Sequence, residues 1–331
     1  MSIPSFFKDI EHFRVLLNKL GKEQNPFLFA VNYELDESFV WENPNEANSV
    51  LFAVGDMIHS ETKDENALVE KRFEPSFISK NVYTDKFNII HRGLKRGDSF
   101  LANLTVKTPL ETDWSLEEIF YRSRAPYRIC LPGRFVCFSP ERFIRISNGE
   151  ISSNPMKGTI SSSVPDAEGK ILSDFKETAE HCTIVDLIRN DLSQVADGVH
   201  VKRFRYIDRI ATHWSEDLLQ VSSEIAGKLP EDYAEHLGDI LLSLLPAGSI
   251  CGAPKKATVE LISRAEGERR NFYTGVFGYF DGQNMDSAVM IRFIEEENGQ
   301  KFFRSGGGIT AYSQCEDEYN EVLEKIYVPF V

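Results

Sequence analysis

A lysine in a short Pro…Gly segment is a candidate for covalent chemistry. Asn154-Pro155-Met156-Lys157-Gly158-Thr159 places Lys157 in a loop-like stretch between a proline, which fixes φ, and a glycine, which allows a tight turn. A lysine held in this way can be desolvated and become nucleophilic. The alternative is an ordinary lysine in a surface turn, and the residues that follow decide between the two.

Acidic residues far apart in the sequence are candidate ligands for a divalent cation. Glu180 lies on a predicted helix, and Glu318 and Glu321 share one face of another, because residues three apart on a helix are neighbours. Lys325 follows on that face. Carboxylates from two helices, completed by water and ligand oxygens, suit Mg²⁺. A solvated acidic helix with a Glu–Lys pair is the alternative for Glu318, Glu321 and Lys325.

A third group of residues suits a carboxylate ligand. Gly306-Gly307-Gly308 follows a predicted strand, and consecutive glycines let backbone N–H groups approach an anion closely. Arg292 alternates with apolar residues in a neighbouring strand and could pair with a carboxylate through two N–H groups. Tyr279, on the paired strand, could add a hydroxyl. A glycine bulge and an edge-strand arginine form the alternative.

The segment Gly248-Ser249-Ile250-Cys251-Gly252-Ala253-Pro254-Lys255 superficially resembles a phosphate-binding loop. It lacks the pattern G-x-x-x-x-G-K-[ST], because Pro254 stands where the loop would continue and Lys255 precedes another lysine. We therefore do not expect nucleotide binding. A helix that begins at Pro254 could still help to bind a carboxylate at its N-terminus.

Composition restricts the class of protein. The 331 residues carry a net charge of −14, which argues against a nucleic-acid partner. No apolar run approaches the roughly 18 residues of a membrane span. The cysteines are odd in number and form no C-x-x-C pair, which suits reduced thiols: Cys130, Cys137, Cys182, Cys251 and Cys315. We expect a cytoplasmic protein that binds no nucleic acid or membrane. Any anionic ligand then needs a locally positive or metal-containing pocket.

Helices and strands that would position these residues follow from hydrophobic periodicity. The pattern predicts helices over 6–20, 86–96, 178–195, 233–245, 254–265 and 315–327. Apolar and β-branched runs predict strands over 27–33, 49–55, 100–106, 128–131, 135–139, 143–146, 272–280, 286–294 and 301–305. Because these elements show no regular βαβ alternation, the fold class is predicted to be α+β.

Five motifs, in a fixed order, resemble those of a known family. They are NPMKGT, AEHCTIVDLIRNDLSQVA, LPAGSICGAPKKATVELI, the pair GVFGY and MDSAVMIRF, and GGGITAYSQCEDEYNEVLEK. Together they resemble the chorismate-utilising enzymes, which include anthranilate, isochorismate, salicylate and aminodeoxychorismate synthases. The resemblance covers residues 95–327, whereas residues 1–90 are shorter and divergent. It implies a single catalytic domain over 1–331, built of large, mostly antiparallel sheets packed as a sandwich with helices outside.

The resemblance also implies a reaction. Anthranilate synthases typically have alanine before Gly158-Thr159, whereas lysine there is characteristic of component I of aminodeoxychorismate synthases. Ser139-Pro140-Glu141-Arg142-Phe143 matches a family segment whose glutamate is the general acid at C4 of chorismate. Lys157 would attack C2, Glu141 would protonate the leaving C4 hydroxyl, and ammonia would then attack C4 to give 4-amino-4-deoxychorismate, a step toward 4-aminobenzoate and folate. Because Lys157 must be neutral to attack, we expect burial or a nearby cation to lower its pKa.

Binding roles follow from the same resemblance. It implies that Mg²⁺ is held by Glu180 and Glu321, with Glu318 nearby. It implies that the enolpyruvyl carboxylate is bound by Arg292, Tyr279, Gly306, Gly307 and Gly308. The ring-carboxylate side would be formed by Lys325, Ser249, Gly158 and Thr159. One departure is Gln220, which stands where many members have a histidine and which cannot exchange a proton.

The source of ammonia and the alternatives to this function follow from what the sequence contains. The chain carries no glutaminase motif, so the resemblance implies that ammonia comes from a separate glutamine amidotransferase subunit, component II. The main alternative is another activity of the same family, anthranilate or isochorismate synthesis. A binding protein that keeps the pocket without its chemistry is a second alternative, disfavoured by the presence of Glu141, Lys157, Glu180 and Glu321.

Overall fold

A computed structural model describes residues 4–44, 50–59, 71–210 and 217–328. Within these ranges a 3₁₀ turn, Tyr233–His236, runs directly into the sixth α-helix. The α-helices are α1 (Ile10–Lys22), α2 (Lys80–Arg96), α3 (Leu116–Arg122), α4 (Ala167–Ser173), α5 (Phe175–Leu192), α6 (Leu237–Leu244), α7 (Gly248–Cys251), α8 (Lys255–Glu266) and α9 (Cys315–Glu324).

The strands form two large antiparallel sheets. The first contains β1 (Ser5–Phe7), β2 (Phe27–Val31), β3 (Ser38–Glu42), β10 (Arg142–Ser147), β11 (Glu150–Ser153), β12 (Met156–Ser161), β13 (Asp197–Ile210), β14 (Leu218–Lys228), β16 (Val276–Phe280) and β17 (Met285–Val289). The second contains β4 (Leu51–Val54), β5 (Ile58–His59), β6 (Phe73–Pro75), β7 (Leu101–Thr112), β8 (Tyr127–Leu131), β9 (Phe135–Ser139), β15 (Gly252–Ala253), β18 (Phe293–Glu297) and β19 (Gln300–Thr310).

Spatial order shows how distant parts of the chain become neighbours. The first sheet runs β1-β3-β2-β16-β17-β10-β11-β14-β12, and β13 pairs with β14. The second runs β15-β7-β19-β18-β9-β8-β4-β5, and β6 pairs with β7. Strands β11 and β12 pair with successive parts of β14, which places the lysine motif in direct continuation of β11.

The two sheets pack face to face, and period-2 alternation of strand residues decides which core each side chain joins. Leu28 and Ala30 of β2 join a buried cluster formed by both sheets, which includes Trp41, Phe52 and Phe277. On the opposite face of β2 the side chains pack against helices: Phe27, Phe29 and Val31. This is the predicted α+β sandwich.

Helices cover the outer faces. Apolar side chains of α1, α2, α5, α6, α8 and α9 share one buried cluster with strands of both sheets, and this cluster extends from Phe13 to Val322. The shorter α3 covers the second sheet through a separate cluster that contains Ile119 and Phe138. Among the described residues, no helix combines the length and the apolar character needed to cross a membrane.

Several predicted boundaries differ from the structure. The helix predicted over 86–96 begins at Lys80, because the Ser79 side chain accepts a hydrogen bond from Val82 N–H and caps it. The strand predicted over 286–294 is interrupted at 290–292, where the chain leaves the first sheet and enters the second. The long strands β13 and β14 were not predicted, because their polar residues mask the alternation.

Two corrections concern the candidate site. The segment around Lys157 is a strand rather than a loop, and a register shift between Met156 and Thr159 forms a bulge around the lysine. The glycines Gly306–Gly308 lie within β19 rather than beyond its end, paired with Thr105, Leu104 and Asn103 of β7. A bulge re-aims the side chains beside it, so the regular ladder does not set the direction of Lys157.

Candidate active site

A cavity of about 170 Å³ lies where the chain crosses twice between the sheets. Glu141 joins β9 of the second sheet to β10 of the first, and residues 290–292 make the return crossing from β17 to β18. The crossings are hydrogen-bonded to each other. Val289 N–H donates to the Glu141 carbonyl at 3.1 Å, and Phe138 N–H donates to the Arg292 carbonyl at 3.0 Å.

The cavity brings together most of the residues singled out in the sequence. Its lining includes Glu141, Lys157, Glu180, Ser249, Arg292, Gly306, Gly308 and Lys325. The remaining predicted residues lie outside this lining: Gly158, Thr159, Tyr279, Gly307, Glu318 and Glu321. Thr159 is exposed on β12, and its hydroxyl lies 3.5 Å from the Gln220 amide nitrogen.

Glu141 has the environment of a proton donor. Ser249, on the short helix α7, donates a 2.6 Å hydrogen bond to Glu141 Oε1. Burial raises the pKa of the Glu141 carboxyl above its ordinary value, against the opposing effects of Ser249 and of the cations Lys325, Lys157 and Arg292. A carboxyl group that holds its proton more tightly than usual is suited to general acid catalysis.

Lys157 forms an ion pair with Glu180. Its Nζ lies 2.7 Å from Glu180 Oε2, and 26% of its side chain is exposed. Burial acts to lower the pKa of Lys157, but the carboxylates of Glu180, Glu321 and Glu177 outweigh it and raise that pKa above the ordinary lysine value. The expectation of a lowered pKa is therefore wrong for this state of the protein, because the lysine lies among carboxylates.

Two helices each carry a pair of glutamates spaced three residues apart, and three of these four carboxylates act on Lys157: Glu177, Glu180 and Glu321. Glu177 and Glu180 lie on α5, and Glu318 and Glu321 on α9. A Cβ added to Gly307 would lie 3.4 Å from Glu321 Oε1 and 3.7 Å from Glu318 Oε2, so both carboxylates converge over that glycine.

Glu177 supplies an oxygen suited to a cation. Burial raises the pKa of Glu177, whose Oε2 is buried with no hydrogen-bond partner in the described part of the chain. Hard oxygen donors with an unsatisfied buried oxygen fit a divalent cation such as Mg²⁺. Among the described residues, no group of three acidic, histidine or cysteine side chains is arranged to hold a metal ion. Glu180 is paired with Lys157, and Glu321 with Lys325.

Lys325 closes another side of the cavity. Its Nζ donates to the Gly306 carbonyl at 2.9 Å and to Glu321 Oε1 at 2.5 Å. Burial lowers the pKa of Lys325, assisted by Lys157 and Arg292 and opposed by Glu321. Among the described residues, four basic side chains line the cavity of this acidic protein: Lys157, Arg292, Arg304 and Lys325. The cavity can therefore accept an anionic ligand that the surface would repel.

Arg292 lines the cavity, whereas Tyr279 does not. Arg292 lines the cavity with φ at +53°, a left-handed conformation that costs energy for a residue with a side chain and that recurs at functional sites. Its guanidinium carbon lies 5.3 Å from the Tyr327 ring centroid. Tyr279 is buried in the cluster between the sheets, and the tyrosine that lines the cavity is Tyr273.

Comparison with protein families identifies the chain. The model of the chorismate binding enzyme family matches residues 15–330. The chain belongs to this family. Aminodeoxychorismate synthase component 1 of Escherichia coli is 36% identical over 269 residues, which are 76% of this chain and 57% of that enzyme. An "uncharacterized PabA-like protein" of Haemophilus influenzae is 44% identical, with 97% of each chain covered.

Other members of the chorismate-binding family share the fold or part of the sequence. A putative 2,3-dihydroxybenzoate-specific isochorismate synthase from Bacillus anthracis has a TM-score of 0.74 at 20% identity, over 99% of this chain and 90% of that one. Anthranilate synthase component 1 of Aquifex aeolicus is 37% identical over 56% of this chain and 38% of its own. These relatives are named for different activities, so membership of the family does not by itself fix the reaction.

Some residues in and around this cavity were not predicted from the sequence. Glu177 could have been found, because it precedes Glu180 by three residues as Glu318 precedes Glu321. Arg304 lines the cavity with 1% of its side chain exposed, and its Nε donates to Glu295 at 2.7 Å. Asn103 of β7 and Tyr273 also line the cavity, and no local pattern marks either of them.

Proposed function

We propose that this protein converts chorismate and ammonia to 4-amino-4-deoxychorismate and water. One observation carries the proposal: Lys157 lines the same cavity as Glu141, whose pKa is raised by burial, together with cations suited to a dicarboxylate. The similarity to aminodeoxychorismate synthase component 1 over three quarters of this chain supports the same reaction. Lysine at position 157 is the feature that distinguishes this chemistry from attack by ammonia at C2.

The reaction proceeds in two displacements along the conjugated diene. Neutral Lys157 Nζ forms a bond to C2, the double bonds shift, and the C4 hydroxyl leaves as water with the proton of Glu141. Ammonia then forms a bond to C4, the double bonds shift back, and the C2–Nζ bond breaks. The proton lost by ammonia returns to Glu141. Chorismate and ammonia are consumed, and 4-amino-4-deoxychorismate and water are formed.

The carboxylates around Lys157 have a second role. We propose that Mg²⁺ is held by Glu180 and Glu321, with Glu177 and Glu318 as supporting ligands, because these oxygens come from two helices and one of them is unsatisfied. When bound, the cation supplies positive charge for the ring carboxylate. Arg292 and the strand of Gly306 and Gly308 bind the enolpyruvyl carboxylate, and Lys325 and Ser249 lie on the ring side.

Ammonia requires a source. We propose a glutamine amidotransferase subunit as the partner, which matches the name "component 1" of the Escherichia coli relative. Free ammonium at high concentration should then replace the partner, since the chemistry needs only ammonia at C4.

Product analysis tests the proposal. Purified protein is mixed with chorismate, Mg²⁺ and ammonium, and the products are separated by liquid chromatography and identified by mass spectrometry. A 4-amino-4-deoxychorismate peak that disappears when ammonium is omitted supports the proposal. Anthranilate or isochorismate as the main product, or unchanged chorismate, contradicts it.

A further inference from the structure

Arg142 connects the two segments that carry the proton donor and the lysine. We propose that Arg142 is a positioning residue that sets the spacing between Glu141 and Lys157, an inference that rests on the proposed function. It does not line the main cavity. Its effect on the reaction is therefore exerted through the backbone of the two segments.

Both segments lie at irregular points of the first sheet. The pairing of β10 with β17 shifts in register between Arg142 and Arg145, directly after Glu141. The pairing of β12 with β14 shifts between Met156 and Thr159, around Lys157. A bulge interrupts the regular ladder of hydrogen bonds, so the ladder alone does not fix the direction of the side chains there. Side-chain contacts must supply the missing constraint.

The Arg142 guanidinium supplies it through three nitrogens. Nε and Nη2 donate to the two carboxylate oxygens of Asp286, each at 3.0 Å, and Nη1 donates to Asn154 Oδ1 at 3.1 Å. Asn154 is three residues before Lys157, in the connection between β11 and β12. One planar group thus ties the residue after Glu141 to the segment that leads into Lys157.

Asp286, which anchors the Arg142 guanidinium, is itself buried and held by other hydrogen bonds. It lies on β17 with 4% of its side chain exposed. It also accepts hydrogen bonds from Tyr127 Oη at 3.2 Å and from Ser287 N–H at 2.9 Å. A lysine at position 142 could pair with Asp286 but could not also reach Asn154 in the same plane, because an ammonium is a single point charge. The arrangement therefore requires arginine.

The experiment measures chorismate consumption with saturating ammonium. We expect Arg142→Lys to lower kcat by about 100-fold, the size of effect that a misplacement of about 1 Å produces, with KM for chorismate changed by less than about threefold. Asn154→Leu, which leaves the Arg142–Asp286 pair intact, should lower kcat by about tenfold. Asn154→Asp keeps the accepting oxygen and should restore nearly wild-type kcat. Arg145→Lys, at an exposed position of the same strand, is the matched control.

The combination Arg142→Lys with Asn154→Leu separates positioning from general destabilisation. If both residues act through their shared bond, the double variant has the kcat of Arg142→Lys alone, because the bond is already lost. The inference would be overturned if the fold losses of kcat in the two single variants multiplied in the double variant. It would also be overturned if Arg142→Lys were as active as Arg145→Lys. The experiment measures the loss of chorismate, so it remains valid even if the product differs from 4-amino-4-deoxychorismate. The positioning role of Arg142 can therefore be disproved independently of the proposed product.

Discussion

Lys157 Nζ lies 2.7 Å from Glu180 Oε2, and this contact joins the strand that carries the lysine to the helix that carries the acid. It stabilises the protonated amine, whereas the proposed reaction needs the neutral one. The contact therefore opposes the neutral charge state that the proposed nucleophile needs. Any ligand that draws Glu180 away from the amine makes the lysine more reactive.

The first prediction concerns the proton of Lys157. Glu180→Gln should lower the midpoint of Lys157 titration, because the carboxylate that favours the ammonium form is removed. Competitive acetylation across pH, in the presence of EDTA and read by peptide mass spectrometry, measures this midpoint. Exposed Lys170 is the internal reference, and Glu168→Gln, at an exposed position, is the matched control. An unchanged midpoint in Glu180→Gln would show that the pair does not hold the proton.

The second prediction concerns the site of amination. Lys157→Ala should lose the 4-amino product and form a 2-amino product, because ammonia can then reach C2 directly. Loss of a covalent nucleophile should lower 4-amino product formation by about 1,000-fold or more. Mass spectrometry and the fluorescence of anthranilate-type products distinguish the isomers. Lys170→Ala should behave as wild type. Unchanged 4-amino product from Lys157→Ala would exclude the covalent role.

Sequence periodicity predicted the architecture because the core strands are apolar. Segments such as 27–33 and 135–139 are buried on both faces, so they appear as unbroken hydrophobic runs. The periodic approach failed for β13 and β14, where polar residues alternate irregularly and the register shifts several times. It also failed at 290–292, where the chain changes sheets without any break in the apolar pattern.

Sequence motifs select several residues that line one cavity, but they do not predict its geometry. Glu141, Lys157 and Glu180 were identified through motifs, and they line one cavity. The charge state of Lys157 could not be predicted, because it depends on a helix that approaches from elsewhere in the chain. The position of Tyr279 could not be predicted for a similar reason. Alternation along β16 shows which residues share a face, but which face is turned to the other sheet depends on the neighbouring strands β2 and β17.

The third prediction uses the hydrogen bond between Ser249 and Glu141. Burial raises the pKa of Glu141, and the Ser249 hydroxyl opposes this effect, so Ser249→Ala should raise that pKa further. The active enzyme has a protonated Glu141 and a neutral Lys157, and together these two groups then carry one proton. Because the pKa of Glu141 is the lower of the two, this singly protonated site becomes populated as the pH rises to the pKa of Glu141. The value of kcat/KM therefore rises up to that pH and then levels off. The lower limb of the profile should therefore move to higher pH in Ser249→Ala. It should remain in place in Ser243→Ala, which removes an exposed hydroxyl from α6.

The fourth prediction concerns the cation. Mg²⁺ should raise the melting temperature of the wild-type protein, because a ligand that binds only the folded state stabilises it. Glu321→Gln should weaken Mg²⁺ binding by about tenfold or more, since it removes one charged oxygen ligand, and Glu177→Gln should have a smaller effect of the same sign. Calorimetric titration of Mg²⁺ without chorismate measures both affinities independently of activity.

Glu324→Gln provides the control for this experiment, because Glu324 is an exposed glutamate of the same helix as Glu321. Its loss changes the net charge of the protein by the same amount and leaves the carboxylates that converge over Gly307 untouched. Equal weakening in Glu321→Gln and Glu324→Gln would mean that Mg²⁺ responds only to overall charge. Selective weakening in Glu321→Gln would mean that the two helices supply a defined site. If Mg²⁺ had no effect on the wild-type protein, the cation would not be part of the proposed function. Lys157 and Lys325 would then have to neutralise the ring carboxylate.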